Sequence, residues 1–232
     1  MLTNIKLIAF DGDDTLWYNE IVYNNAFDIA IKIANPNITD CYKINILYDF
    51  NKKLATNIKL IGYGYKTYII TLVSYLLDKF NISSSKINLI ISKLALEFKK
   101  PVRLYPSVEQ TITLLHNRYE LIIITKGETF EQSQKIKSSN ICSFFTNTFI
   151  VANKDEDTYT KILKQYNISP NDFLMVGNSF YNDIQPVINI GGSAIYIDNI
   201  INPHIESLPL EIELNNPNII KINHFQDIIK FL

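Results

Sequence analysis

Directly after the mostly apolar run Ile5–Phe10 the chain reads Asp11-Gly12-Asp13-Asp14-Thr15. Carboxylates two positions apart on extended backbone face the same side. Two like charges sharing a site repel, so one is protonated or a cation lies between them. Three further clusters follow apolar runs: Thr125-Lys126-Gly127 after Ile122–Ile124, Lys154, and Gly177-Asn178 with Asp183 after Met175-Val176. With Asp183 as a third acidic residue, hard oxygen ligands for Mg²⁺ are available. Such a set could perform phosphoryl chemistry. One carboxylate attacks phosphorus and the other protonates the departing oxygen. The Thr125 hydroxyl and Lys154 ammonium are the donors that a developing phosphoryl charge requires.

Elements must bring these clusters together. Apolar runs near 5–10, 121–124, 148–151, 173–176, 194–197 and 219–222 read as buried strands, bounded by turn residues. From Pro101 onward they alternate with helical stretches: 107–116 with Ser107 as N-cap and Gln110 three residues on, a helix from Glu128, 157–166, 183–189 and a closing helix over 225–232. That alternation is the pattern of a doubly wound parallel α/β sheet, whose ligands bind at the carboxyl ends of the strands. Between the first strand and the rest lie four stretches of helical apolar spacing, near 18–34, 42–57, 65–80 and 86–99. They are separated by Asn35-Pro36-Asn37, Gly62-Tyr63-Gly64 and Asn81-Ile82-Ser83-Ser84-Ser85. The expected organisation is an α/β core of 1–17 and 101–232 with an inserted all-α helical domain over 18–100. Trp17 and Tyr18 are expected to pack at the junction. The glycine loop at 62–64, with Lys66, is a candidate for choosing the substrate.

Composition narrows the classes. The chain has 232 residues, 47% hydrophobic and 19% charged, enough to bury a substantial core. Lys+Arg at 22 against Asp+Glu at 23 lacks the cationic surplus of a protein that grips nucleic acid through phosphates. The two cysteines, Cys41 and Cys142, are too far apart for a CxxC pair, and the three histidines are scattered. No span approaches the roughly 20 apolar residues of a transmembrane helix, and acidic residues come too early for a signal peptide. The expectation is a soluble cytoplasmic protein, binding neither nucleic acid nor membrane.

The string Phe10-Asp11-Gly12-Asp13-Asp14-Thr15-Leu16 resembles the DxDxT signature of the haloacid dehalogenase superfamily. Ile122-Ile123-Ile124-Thr125-Lys126-Gly127 resembles its second motif, and Lys154 stands where its lysine motif falls. Met175-Val176-Gly177-Asn178-Ser179, running on to Asp183-Ile184, resembles its fourth. The insert after the first motif is similar to the helical cap of its cap-type-one phosphatases, and Gly62-Tyr63-Gly64-Tyr65-Lys66 is similar to a cap loop of one subgroup. The resemblance implies a Mg²⁺-dependent phosphatase acting on a small phosphorylated metabolite. In it Asp11 is the nucleophile that forms an aspartyl-phosphate, and Asp13 is general acid and then base. Thr125, the Lys126 backbone N–H and Gly127 receive the phosphoryl group, while Lys154 steadies nucleophile and phosphate. Mg²⁺ is held by Asp11, the Asp13 backbone carbonyl, Asn178 and Asp183.

The chain departs from that pattern where the superfamily's phosphatases carry Gly-Asp and this chain has Gly177-Asn178. An amide oxygen still ligates Mg²⁺ but adds no charge, so metal affinity falls unless Asp183 compensates. Asp155 replaces a proline that often follows the lysine. Two alternatives remain beside the phosphatase. A 2-haloacid dehalogenase uses the same aspartate nucleophile without metal. Asn178 leans toward it, whereas Asp13 leans away, since a departing halide needs no acid. A catalytically weakened protein that only binds a phosphorylated ligand is the other. A signalling receiver domain shares the Asp, Thr and Lys but would be roughly half this length or less, with no such insert.

Overall fold

The computed structural model describes residues 2, 4–198 and 215–232; His204 lies outside them. The chain divides into two compact units, Met1–Tyr18 with Val102–Leu232, and Asn19–Pro101.

The first unit is built on a parallel sheet of β1 (Leu7–Phe10), β2 (Glu120–Lys126), β3 (Asn147–Val151), β4 (Phe173–Gly177), β5 (Ser193–Ile197) and β6 (Ile219–Ile222). Their order is β3-β2-β1-β4-β5-β6. The chain winds outward from β1 through β2 to β3, then returns to β4 on the other side, so the switch in strand order falls beside β1. Phe10 is in register with Ile123 and with Val176, which sets residue 11 between the carboxyl ends of β2 and β4.

Because side chains alternate along a strand, each central strand serves two cores. Ile8, Phe10, Leu121, Ile123, Leu174 and Val176 face one side with Ile112, Leu115 and Ile136. These last come from α5 (Val108–His116) and α6 (Thr129–Ser138). Leu7, Ala9, Ile122, Ile124, Phe173 and Met175 face the other side with Tyr159, Ile162 and Val187. These come from α7 (Glu156–Tyr166) and the short α8 (Gln185–Asn189). Asp11 continues the parity of Leu7 and Ala9 toward α7, whereas Thr125 continues that of Leu121 and Ile123 toward α6.

Local chemistry departs from the sequence expectation in three places. Ser107 does not cap α5: it holds φ +65°, and its hydroxyl donates instead to Gln226 Oε1 at 3.0 Å. The expected helix from Asp183 begins earlier, as a π-helical turn over Phe180–Ile184 that runs into α8. The last segment, Phe225–Phe231, is wound as a 3₁₀ rather than an α-helix.

The second unit contains the four helices that precede α5 in the chain, α1 (Glu20–Ala34), α2 (Asp40–Ile61), α3 (Tyr65–Lys79) and α4 (Ser84–Glu97). Phe27, Ile31, Ile46, Phe50, Leu72, Leu76, Ile90 and Leu94 form its core. Thr39 and Ser83 cap the second and fourth of these helices, accepting from the backbone N–H groups of Tyr42 and Lys86. Among the described residues no helix is long and apolar enough to cross a membrane.

Candidate active site

Residues at or just beyond the carboxyl ends of β1, β2, β3 and β4 form two adjoining groups, one over each face of the sheet. On the α7 side Lys154 Nζ donates to Asp11 Oδ1 at 2.5 Å and to Asp183 Oδ1 at 2.6 Å. All three side chains are almost sealed from solvent. The π-helical turn returns Asp183 beneath the end of β4, where its Oδ2 also accepts from the Ser179 N–H at 3.0 Å. Gly177 is required there. A Cβ on it would lie 2.2 Å from Asp183 Oδ2, so only glycine leaves room for the carboxylate.

The electrostatics follow from counting charges. Two buried carboxylates share one ammonium, which leaves one negative charge uncompensated. Burial pushes the Asp11 carboxyl up and Lys154 pulls it down; repulsion from Asp183 adds to the rise, and the result is about 7. Burial disfavours the Lys154 ammonium, but Asp11 and Asp183 outweigh that and hold its pKa above the usual lysine value.

On the α6 side stands Asp13. Its Oδ1 accepts from the Trp17 indole N–H at 2.7 Å and from Lys135 Nζ at 3.1 Å. Its Oδ2 accepts from Gln132 Nε2 and from Lys135 Nζ, both at 2.9 Å. Lys135 in turn pairs with Glu131 at 2.9 Å. Burial would raise the Asp13 pKa, yet the Lys135 charge and these hydrogen bonds more than offset it and hold it below the usual carboxylate value. The sequence expectation had Asp13 holding a proton as the leaving group departs. With these donors in place it stands as a carboxylate, suited to the base half of such a cycle.

Thr125 is buried at the end of β2, and its hydroxyl donates to Gln132 Oε1 at 3.4 Å. Lys126 Nζ lies 3.5 Å from Asn182 Oδ1. Gly127 has φ +154°, and a Cβ on it would meet Gln132 Nε2 at 2.9 Å, so its lack of a side chain admits the Gln132 amide. Asn178 Oδ1 accepts from the Thr15 hydroxyl at 3.1 Å. Asp11, Lys154 and Asp183 are thus brought into direct contact, and Thr125 is joined to Asp13 through Gln132. Lys66 belongs to the second unit, at the start of its third helix, with its ammonium 5.9 Å from the Tyr65 ring centroid.

Sequence reasoning missed Gln132, Lys135 and the contact that Trp17 makes. Gln132 and Lys135 are three apart and share one face of α6. That spacing is visible in the sequence, but nothing there says which residue the face meets. Among the described residues no group of three or more His, Cys, Asp and Glu side chains is arranged to hold a metal ion. A cation here would draw on the Asp11 and Asp183 carboxylates, the Asn178 amide oxygen and backbone oxygen. These are hard ligands of the kind Mg²⁺ takes, beside one uncompensated negative charge.

Residues 5–191 match the family model of the haloacid dehalogenase-like hydrolases. A glyceraldehyde 3-phosphate phosphatase of Pyrococcus furiosus is 26% identical over 207 residues, 84% of this chain and 81% of that protein. A haloacid dehalogenase-like family hydrolase from Xanthomonas campestris superposes with a TM-score of 0.80 at 26% identity, covering 97% of this chain and 88% of the other. The magnesium-bound hydrolase YfnB of Bacillus subtilis superposes with a TM-score of 0.73 at 17% identity, covering 99% of each chain. Solved 2-haloacid dehalogenases at 18% and 15% identity share the fold too, which speaks to architecture and not to the reaction.

Proposed function

The chain belongs to the haloacid dehalogenase-like hydrolases, and from that premise we propose that it is a Mg²⁺-dependent phosphatase of small phosphorylated metabolites. One observation carries the reading: a buried Asp11 carboxylate braced by Lys154, with a second carboxylate, Asp13, two residues on and held by its own donors. Displacement of a halide from carbon uses the first of these and has no need of the second. The 26% identity to a phosphatase over most of both chains supports the same choice.

In the proposed cycle Asp11 attacks phosphorus through one carboxylate oxygen, and the bond from phosphorus to the ester oxygen breaks. Asp13, protonated from solvent before the ester bond breaks, gives that proton to the departing oxygen. Asp13 then takes a proton from water, whose oxygen attacks phosphorus in the aspartyl-phosphate; phosphate leaves and Asp11 is restored. Thr125 and the backbone N–H groups of Lys126 and Gly127 bind the phosphoryl oxygens, and Lys154 keeps Asp11 oriented. Mg²⁺, held by Asp11, the Asp13 carbonyl, Asn178 and Asp183, supplies positive charge against the phosphoryl oxygens when bound. Residues 18–100 are proposed to act as the cap, and Lys66 to contribute to substrate choice.

The test is phosphate release from p-nitrophenyl phosphate with and without Mg²⁺, for the wild type and Asp11→Asn, with glyceraldehyde 3-phosphate the first metabolite to follow. Metal-dependent turnover in the wild type that disappears in Asp11→Asn is expected. Turnover indifferent to Asp11 overturns the proposal. No turnover, together with halide release from a 2-haloacid, selects the dehalogenase reading that Asn178 favours.

A further inference from the structure

The Asp13 carboxylate has no lone pair to spare. A carboxylate offers about four acceptor positions, and Trp17, Gln132 and two contacts from Lys135 engage all four. To reach a departing oxygen or a water, Asp13 must lose one of these donors. Trp17 is fully buried, and Lys135 is anchored between Asp13 and Glu131. Gln132 differs from both, because its other end is tied to the site. Its Oε1 accepts from the Thr125 hydroxyl while its Nε2 donates to Asp13 Oδ2.

That hydroxyl has one proton, to be given either to Gln132 or to a phosphoryl oxygen. Resting on the phosphatase reading, we propose that Gln132 is a positioning residue that couples Asp13 to occupancy of Thr125. When a phosphoryl oxygen takes the Thr125 proton, Gln132 Oε1 is left buried without a donor, which costs about 1–3 kcal/mol. The terminal amide torsion of glutamine is soft and roughly two-fold. Rotation turns Nε2 to the Thr125 oxygen, which still accepts. It also withdraws the donor from Asp13 Oδ2 and sets an amide oxygen against it. Oδ2, once protonated for the acid step, is then the oxygen presented to the ester, while Trp17 and Lys135 retain Oδ1.

The experiment is a double-mutant cycle of Gln132→Met and Asp13→Asn. Full-length protein is assayed with Mg²⁺ on p-nitrophenyl phosphate, whose leaving group departs readily without a proton, and on phenyl phosphate, whose leaving group does not. Gln132→Met should lower kcat on phenyl phosphate by roughly 10–100-fold, part of the roughly 10²–10⁴-fold that a positioned acid–base group contributes. The loss on p-nitrophenyl phosphate should be far smaller, and KM on both esters should stay within about twofold. In the Asp13→Asn background Gln132→Met should add less than about twofold. Equal losses on both esters, or a full loss retained in that background, mean that Gln132 only packs, and overturn the inference. If Gln132→Met fails to fold, Gln132→Glu keeps the size of the side chain. It must then show the same leaving-group dependence, or the inference fails. Wild-type inactivity on both esters would be a failure of the phosphatase reading, separable because it precedes any mutation, and would remove this inference with it.

Discussion

Replacing Lys154 with methionine isolates the work of one buried ammonium. Its Nζ lies 2.5 Å from Asp11 Oδ1 and 2.6 Å from Asp183 Oδ1, with side-chain exposures of 3% for Lys154, 9% for Asp11 and 1% for Asp183. Methionine fills similar volume without charge and leaves two carboxylates buried beside each other. Removing one partner of a buried pair costs about 3–5 kcal/mol, a large share of the total stability of about 5–15 kcal/mol that native proteins have. The melting temperature should fall by roughly 10 °C. The deficit should also depend on pH. Asp11 already titrates near 7, above its ordinary 3.8. Its contribution to stability is therefore full below the ordinary value and is lost as pH rises through about 7. Without the ammonium its pKa climbs further and the loss on raising the pH steepens. Urea unfolding of both proteins at about pH 5.5 and about pH 8 reads this directly, with the larger deficit expected at the higher pH. Magnesium should recover part of the deficit at the higher pH, since a cation bound to the folded state stabilises it. A variant within about 0.5 kcal/mol of wild type at the higher pH, or one hurt more at the lower pH, would refute the reasoning.

Gly177→Ala should displace Asp183, because the new Cβ would sit 2.2 Å from its Oδ2. A loss of about 2–4 kcal/mol is expected from overpacking and the weakened pair. Asp183→Ser in the same chain should return part of the overpacking cost, both measured by urea unfolding. Trp17→Phe keeps an aromatic ring in the core but removes the N–H given to Asp13 Oδ1. It should cost about 1.5–3 kcal/mol, the worth of a hydrogen bond to a charged group, and unchanged thermal stability would show that the contact contributes nothing.

Sequence alone determined the sheet and the places where the chemistry-bearing residues leave it. Short apolar runs such as Leu121–Ile124 and Phe173–Val176 are buried on both faces, and that doubly buried state is what an unbroken Val/Ile/Leu run records. Strand–helix alternation after Pro101 then implied a parallel sheet with its ligands at the carboxyl ends of the strands. Asp11, Thr125 and Asn178 were legible as strand-end residues for that reason. Lys154 was legible only through the family resemblance, standing where the superfamily's lysine motif falls, 23 positions before Gly177; an isolated lysine beside Lys161 and Lys164 would otherwise read as surface. It is buried, whereas Lys161 is exposed on Asp157.

Tertiary structure alone decided which of these groups touch. Ser107 looked like an N-cap by residue type, yet its backbone took a left-handed turn and its hydroxyl went to Gln226, a partner 119 positions away. Asp183 looked like the first residue of a helix, yet a π-helical turn carried it back under Gly177 and onto Lys154. Trp17 looked like junction packing, yet its indole N–H joins the Gln132 amide and the Lys135 ammonium on Asp13. Periodicity reports only whether a side chain faces inward. The donor that meets a carboxylate across 119 or 122 positions of chain is chosen by how the loop after β1 settles against α6, and no local pattern encodes that distance.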